Sequence, residues 1–143
     1  MQHHFSVAVK AVVLRGNCVL VLRRSQQEMQ GSYINKHQKW DFPGGGLHFF
    51  EHTKEGLLRE IYEETGIRVQ IGMPLSVHDV IRHPVHLCIV TYLAEWREGK
   101  VCLSKEHDGF YWLHREEIPK STLPQWMKRM IEKAFVQREY NKT

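Results

Sequence analysis

Cysteine is scarce in this chain: Cys18, Cys88 and Cys102 are the only three in 143 residues. An odd number without metal-type spacing speaks against a disulfide framework or a zinc ribbon, and predicts reduced thiols in a cytoplasmic protein. No apolar run approaches the ~20 residues that span a bilayer. The opening Met1-Gln2-His3-His4-Phe5 lacks the basic-then-apolar pattern of a secretory leader. Cytoplasm, with no membrane partner, is therefore the expectation. Repeats, low-complexity tracts and linker-like stretches are also lacking, so one domain over residues 1–143 is expected. Charge of one sign is not abundant: 20 Lys and Arg against 16 Asp and Glu leave a net +4. That surplus suits an anionic small molecule and makes no case for nucleic-acid binding. Oligomeric state, monomer or homodimer, stays open.

What the chain does have is a crowded acidic helix behind a glycine run. Helical rotation of roughly 100° per residue predicts a helix over Thr53–Thr65, closed by Gly66 in a left-handed conformation. Leu57, Leu58, Ile61 and Thr65 would share the core-facing arc. Glu60, Glu63 and Glu64 would share the opposite side, with Arg59 at its border. Thr53 is a candidate cap, although no Glu or Gln three positions later completes a capping box. Like charges at such spacing destabilise a helix. A solvated acidic face, with Arg59–Glu63 and Arg68–Glu64 pairs, is the bland reading. A hard divalent cation, which takes oxygen ligands shared between carboxylates and phosphates, is the other.

The segment ahead of the helix favours the cation. Trp40-Asp41-Phe42-Pro43 reads as a short strand, and Gly44, Gly45 and Gly46 follow it as a flexible turn. Glycines let the backbone approach a ligand closely, and a glycine loop leading into a helix can offer amides to phosphate. The stretch from Gly45 to Ile67 resembles the Nudix box at every fixed position: Gly45, Glu51, Arg59, Glu60, Ile61, Glu63, Glu64, Gly66 and Ile67. One position departs from the commoner form. The residue before Glu51 is usually glycine; here it is Phe50, preceded by Phe49.

The resemblance implies an α/β fold, the Nudix α/β/α sandwich with a mixed sheet between helices. It also implies Mg²⁺- or Mn²⁺-dependent hydrolysis of a pyrophosphate bond in a nucleoside diphosphate derivative, a nucleoside triphosphate or a sugar nucleotide. By the same likeness Glu60, Glu63, Glu64 and the Gly44 carbonyl are the expected metal ligands. Glu51 would support the metal shell and Arg59 would hold the glutamates in position. Glu60 and Glu106 are both candidates for the general base, Glu106 ahead of Asp108. Arg24, Gly45 and Gly46 are the expected substrate contacts.

Two other functions compete. A catalytically silent nucleotide sensor of this fold is expected to have lost a box glutamate, and all are present. An isoprenoid-diphosphate isomerase needs a cysteine opposite an acid, and none of the three lies near the box in sequence.

Strands are expected at Ser6–Leu14 and Cys18–Leu22 as a hairpin, at Val69–Ile81 as one bent strand or two short ones broken at Gly72-Met73-Pro74, at His86–Trp96, at Val101–Leu103, and at Phe110–Leu113 as a short buried strand. Arg23–Lys39 is expected to be a surface loop. Pro124 should begin a closing helix with Trp126, Met130 and Ala134 along one face. Trp40, Phe49, Phe50 and Trp126 are candidates for stacking on a base, with burial in the core as the alternative. His83 and His86 flank Pro84, which forbids a helical ligand pair. Substrate choice is expected to rest on Arg24–Lys39, His78–His86 and the surroundings of Trp126.

Overall fold

This computed structural model describes residues 2–32 and 37–141. Its elements in chain order are β1 (His4–Arg15), β2 (Cys18–Arg24), a short α1 (Gln26–Gly31), β3 (Trp40–Asp41), β4 (Gly44–Gly46), α2 (Thr53–Thr65), β5 (Arg68–Arg82), β6 (Val85–Glu98), β7 (His107–His114), a 3-10 turn (Arg115–Lys120) and α3 (Gln125–Asn141). Residues 33–36 of the expected substrate loop lie outside the described residues.

Seven strands form one mixed sheet in which β1 runs parallel to β6, while β5, β2 and β7 pair antiparallel with their neighbours. Period-two alternation sorts the core. Val12 and Leu14 of β1, with Val19 and Val21 of β2, face Met127, Ile131, Ala134 and Phe135 of α3. Val9, Ala11 and Val13, with Leu20 and Leu22, face Leu57 and Ile61 of α2. A helix on each face of the sheet is the α/β/α sandwich, as expected.

The sheet splits where the site lies. β1 and β2 pair only at Leu14–Val19 and Arg15–Cys18, next to the Gly16-Asn17 turn. Beyond that β3 pairs with β2 through Asp41–Leu22 and Trp40–Arg23, and β4 pairs with β1 through Gly46–Ala8, Gly45–Val9 and Gly44–Lys10. Residues 40–46 thus cross between the two diverging strands. The glycine run, expected as a turn, is a short strand instead. Without side chains it lies so near β1 that a Cβ on Gly44, at φ +142°, would sit 2.0 Å from the Val9 carbonyl oxygen.

Helix α2 spans the expected residues and ends on Gly66 at φ 72°. Its start differs: His52 is the cap residue without a side-chain bond, and Thr53 Oγ1 lies 2.7 Å from the Tyr92 hydroxyl. The faces differ too. Leu58 is exposed whereas Glu64 is buried, because the covering strands sit toward the Glu64 edge of the apolar arc.

Val69–Ile81 takes the first of its two expected forms, one strand (β5) with register shifts between Ile71, Pro74 and Ser76. Two strand expectations need correction. Residues 101–103 form no strand: Cys102 N–H donates to the Thr65 carbonyl at 2.8 Å and Ser104 N–H to the Glu64 carbonyl at 3.0 Å. The segment thereby satisfies carbonyls that a helix end leaves unpaired. β7 is longer than expected and lies beside β2 with Phe110 and Tyr111 exposed. At the far end α3 follows Pro124, whose carbonyl accepts from Met127 and Lys128, and Trp126 is partly exposed, edge-on to Phe42. No helix among the described residues is long and apolar enough to cross a membrane.

Phe50 is the one non-glycine residue described with positive φ, at 65°. That conformation costs an L-residue with a Cβ about 1–2 kcal/mol. Its ring is fully exposed and returns no burial. Phe50→Gly should raise unfolding stability by about 0.5 kcal/mol after the extra freedom of unfolded glycine is subtracted. A lower denaturant midpoint would show that the ring supports the turn.

Candidate active site

The split in the sheet opens a cavity of about 380 Å³. β1 contributes Lys10, β3 Asp41, β4 Gly44–Gly46, α2 Glu60 and Glu64, the end of β2 Arg24, and the start of β7 Glu106 and His107. Sequence-distant pieces meet here for identifiable reasons. The β2–β7 register sets Arg24 opposite His107, and Ser25 N–H donates to the Glu106 carbonyl at 2.9 Å. The 102–104 segment, bound to the end of α2, delivers the same turn beside Glu64.

Within the cavity Glu64 Oε1 accepts the Gly44 amide at 2.9 Å. Glu60 lies against Gly45, whose added Cβ would stand 2.5 Å from Glu60 Oε2. Oxygens of Glu64 and Glu106 and a ring nitrogen of His107 all lie within 4.8 Å of one another. Lys10 Nζ bonds both Asp41 oxygens, at 3.0 and 3.1 Å, and His107 Nε2 meets Asp41 Oδ2 at 3.3 Å. The buried Arg24 guanidinium donates to the Gln38 carbonyl at 3.0 Å and lies 4.0 Å from Glu28.

Of the residues expected from sequence, Glu60, Glu64, Glu106, Arg24 and Gly44–Gly46 come together. Glu63 does not line the cavity: it is largely exposed and bound to Arg59 at 3.2 Å. Asp108 points away and pairs with Arg23 at 2.7 Å. None of Trp40, Phe49, Phe50 or Trp126 lines the cavity, nor does any of the three cysteines. Lys10, Asp41 and His107 were not singled out by sequence. The available signal was an Glu-His pair opening a strand predicted to follow a polar loop, which is weak on its own.

A family model described as the NUDIX domain matches residues 4–134. The chain belongs to the NUDIX family. Among solved structures it is similar to a MutT protein from Methanosarcina mazei, 27% identical with a TM-score of 0.75, covering 96% of this chain and 98% of that one. Among curated relatives it is 30% identical over 96 residues to human diphosphoinositol polyphosphate phosphohydrolase 3-alpha, covering 61% of this chain and 58% of that protein. It is 29% identical over 72 residues to an RNA pyrophosphohydrolase of Hamiltonella defensa, covering 50% and 42%. The chain thus spans about half the length of these two relatives.

Electrostatics divide the carboxylates of the NUDIX box. Arg59 grips Glu51 with a two-pronged contact at 2.7 and 3.0 Å, and also reaches Glu60 at 2.9 Å and the Gly46 carbonyl at 3.1 Å. Hydrogen bonds from Arg59, then the His48 amide, hold the Glu51 carboxyl down at about 2. Glu51 is thus an anchor for the arginine fork, set back from the cavity. Arg59→Lys keeps the charge but loses the fork. It should lower activity or metal affinity by roughly 10–100-fold, as loss of supporting groups does at metal sites. Unchanged turnover and metal titration would deny Arg59 that positioning role.

Glu64 is the opposite case. Burial pushes its carboxyl up to about 9, against the pull of Lys10 and the Gly44 amide, and neighbouring Asp41 and Glu106 add to the rise. For Asp41, burial works upward too, but the Lys10 ammonium and His107 bring it below the usual carboxylate range. A buried carboxyl disfavoured as an anion and open to a cavity of oxygen donors fits a divalent cation, which restores the charge balance that burial removes.

Proposed function

We propose that this NUDIX chain is a single-domain enzyme that hydrolyses the pyrophosphate bond of a nucleoside diphosphate derivative with Mg²⁺ or Mn²⁺. The observation behind it is the meeting of Glu60, Glu64 and Glu106 with the Gly44–Gly46 backbone around one cavity. Glu60, Glu64, Glu106 and the Gly44 carbonyl would hold the cation, with Glu63, exposed and paired with Arg59, in reserve. Bound there, a divalent cation neutralises phosphate charge and lowers the pKa of a bound water.

The remaining steps belong to side chains. Lys10, paired with Asp41, and Arg24 bring positive charge to the same cavity as the carboxylates, where a polyphosphate needs it. An arginine can clamp phosphate through two parallel hydrogen bonds. Glu60, aligned by Arg59, and Glu106, exposed at the mouth, are the two carboxylates able to take a proton from the attacking water. The bridging oxygen leaves as part of the second phosphate.

The relatives are named as a pyrophosphohydrolase of RNA and a phosphohydrolase of diphosphoinositol polyphosphate, so what they have in common in name is phosphate chemistry. For this chain a nucleoside triphosphate or sugar nucleotide is the proposed substrate, from its box and its cationic cavity residues. The three cysteines are free, which suits the cytoplasm. An isomerase is disfavoured because no cysteine lines the cavity, and a silent sensor because every box glutamate is in place.

The test is a panel of nucleoside triphosphates, ADP-ribose, sugar nucleotides and dinucleoside polyphosphates, with Mg²⁺, with Mn²⁺ and with chelator. Cation-dependent release of phosphate-containing products is expected. Glu60→Gln should lower it by about 10²–10³-fold, the scale of losing one well-placed polar group in an active site, while leaving the fold intact. No turnover of any member with either cation would falsify the proposal.

A further inference from the structure

One buried polar atom in the cavity has no role in the chemistry above. His107 is 5% exposed, and its Nδ1 has no hydrogen-bond partner among the described residues. Its other ring nitrogen faces Asp41 at 3.3 Å. Asp41 is itself tied through both oxygens to Lys10. A carboxylate accepting from Nε2–H leaves the lone pair on Nδ1. Histidines that bind metals are commonly arranged this way, with the far N–H donated to a carboxylate that sets tautomer and ring orientation.

We infer that His107 is a nitrogen ligand of the catalytic cation, completing a set with Glu64 and Glu106, and that it tilts the centre from Mg²⁺ toward Mn²⁺ and the heavier first-row divalent ions. The inference rests on the metal-dependent reading of the cavity and adds a ligand to it.

Geometry supports the set. Oxygens of Glu64 and Glu106 and one ring nitrogen of His107 lie within 4.8 Å of one another, and turning the ring to present Nδ1 is a rotation in place. Octahedral bonds near 2.1 Å place neighbouring donors about 3 Å apart and opposite ones about 4.2 Å apart. Closing the difference takes a modest side-chain rotation. Glu106, the exposed member, is free to make it, whereas Glu64 and His107 are held in place by burial. Six coordination positions accommodate this nitrogen beside the Glu60, Glu64 and Glu106 carboxylates and the Gly44 carbonyl and still leave one for water or substrate.

Ligand chemistry supplies the selectivity. Mg²⁺ takes oxygen and keeps its water reluctantly. Imidazole binds the first-row ions more strongly, in the rising order Mn²⁺, Fe²⁺, Co²⁺. An unpaired buried nitrogen is a cost in the absence of a ligand atom that can accept its lone pair. Water could fill that place only if the site were wet; a cation is the partner that uses a lone pair and two carboxylates at once.

The test is pulsed electron paramagnetic resonance on the full chain with bound Mn²⁺, alongside calorimetric titration with Mn²⁺ and with Mg²⁺. Electron spin-echo modulation from a directly bound imidazole nitrogen is expected in the unaltered protein. It should vanish in His107→Gln, with Mn²⁺ affinity falling roughly 10–100-fold, the range over which groups around such histidines tune metal sites. Mg²⁺ affinity should change much less. Bound Mn²⁺ and cation-dependent hydrolysis without nitrogen modulation would overturn the inference and leave the proposed hydrolase standing. No cation binding and no hydrolysis would overturn both. Because the decisive spectrum comes from the unaltered chain, poor folding of the variant does not shield the claim.

Discussion

Glu64→Gln is expected to reduce cation-dependent hydrolysis at least ~10³-fold, equivalent to about 4 kcal/mol of transition-state stabilisation, and to change how stability depends on pH. The second effect separates Glu64 from an ordinary ligand. Its folded carboxyl stands near 9 against an ordinary 4.5. Between those values the cation-free folded chain keeps a proton that the unfolded chain has released. Stability contributed by this group is therefore full below about 4.5 and is lost as pH rises toward about 9. The slope for one group is at most about 1.4 kcal/mol per pH unit. Glutamine carries no such proton. Denaturant midpoints of the cation-free protein at pH 6, 7 and 8 should fall for the unaltered chain relative to the variant. Parallel curves would mean that Glu64 is solvated and ionised in solution. Cation binding must displace the same proton, so Mn²⁺ should raise the midpoint more at pH 8 than at pH 6.

How much of this was legible before the structure differs by residue. The span of α2 could be read because 3.6-residue periodicity and a closing Gly66 are local signals, and both are present. The β1–β2 hairpin was legible from alternation and the Gly16-Asn17 turn. Burial of Glu64 was not. A helical wheel gives angles around an axis, but it does not say where the sheet stops covering the helix; Glu64 lies at one border of the buried arc and exposed Leu58 at the other. The strand character of Gly44–Gly46 was hidden for a related reason. Glycine has little strand preference, and only the neighbours in space make it fitting: the β1 backbone at Gly44 and the Glu60 carboxylate at Gly45. His107 depended on a register: it stands 43 positions from Glu64 in the chain, and the β2–β7 pairing with the 102–104 segment brings the two together. Pairing between distant strands leaves no local trace in composition.

The two glycines of the box entrance should fail in different ways when each gains a methyl group. At Gly44 the added Cβ would meet backbone, 2.0 Å from the Val9 oxygen and 2.7 Å from Lys10 Cα, at φ +142°. Neither atom can move without parting β4 from β1, and the amide held by Glu64 would move with them. Gly44→Ala should therefore cost more than about 4 kcal/mol, the range reserved for backbone strain and comparable defects, and leave little folded protein. At Gly45 the nearest atoms are Glu60 Oε2 at 2.5 Å and Glu60 Cδ at 2.7 Å, the far end of a flexible side chain. Gly45→Ala should then cost about 1 kcal/mol or less in stability, as most substitutions away from such defects do. Its loss should appear in turnover, about 10–100-fold, because a displaced carboxylate spoils the alignment that catalysis needs. Unfolding midpoints and kcat measured side by side distinguish the two. A well-folded Gly44→Ala would mean that β4 does not press on β1 as tightly as the sheet requires. Full turnover in Gly45→Ala would mean that the Glu60 carboxylate has no catalytic task at the position where the glycine strand holds it.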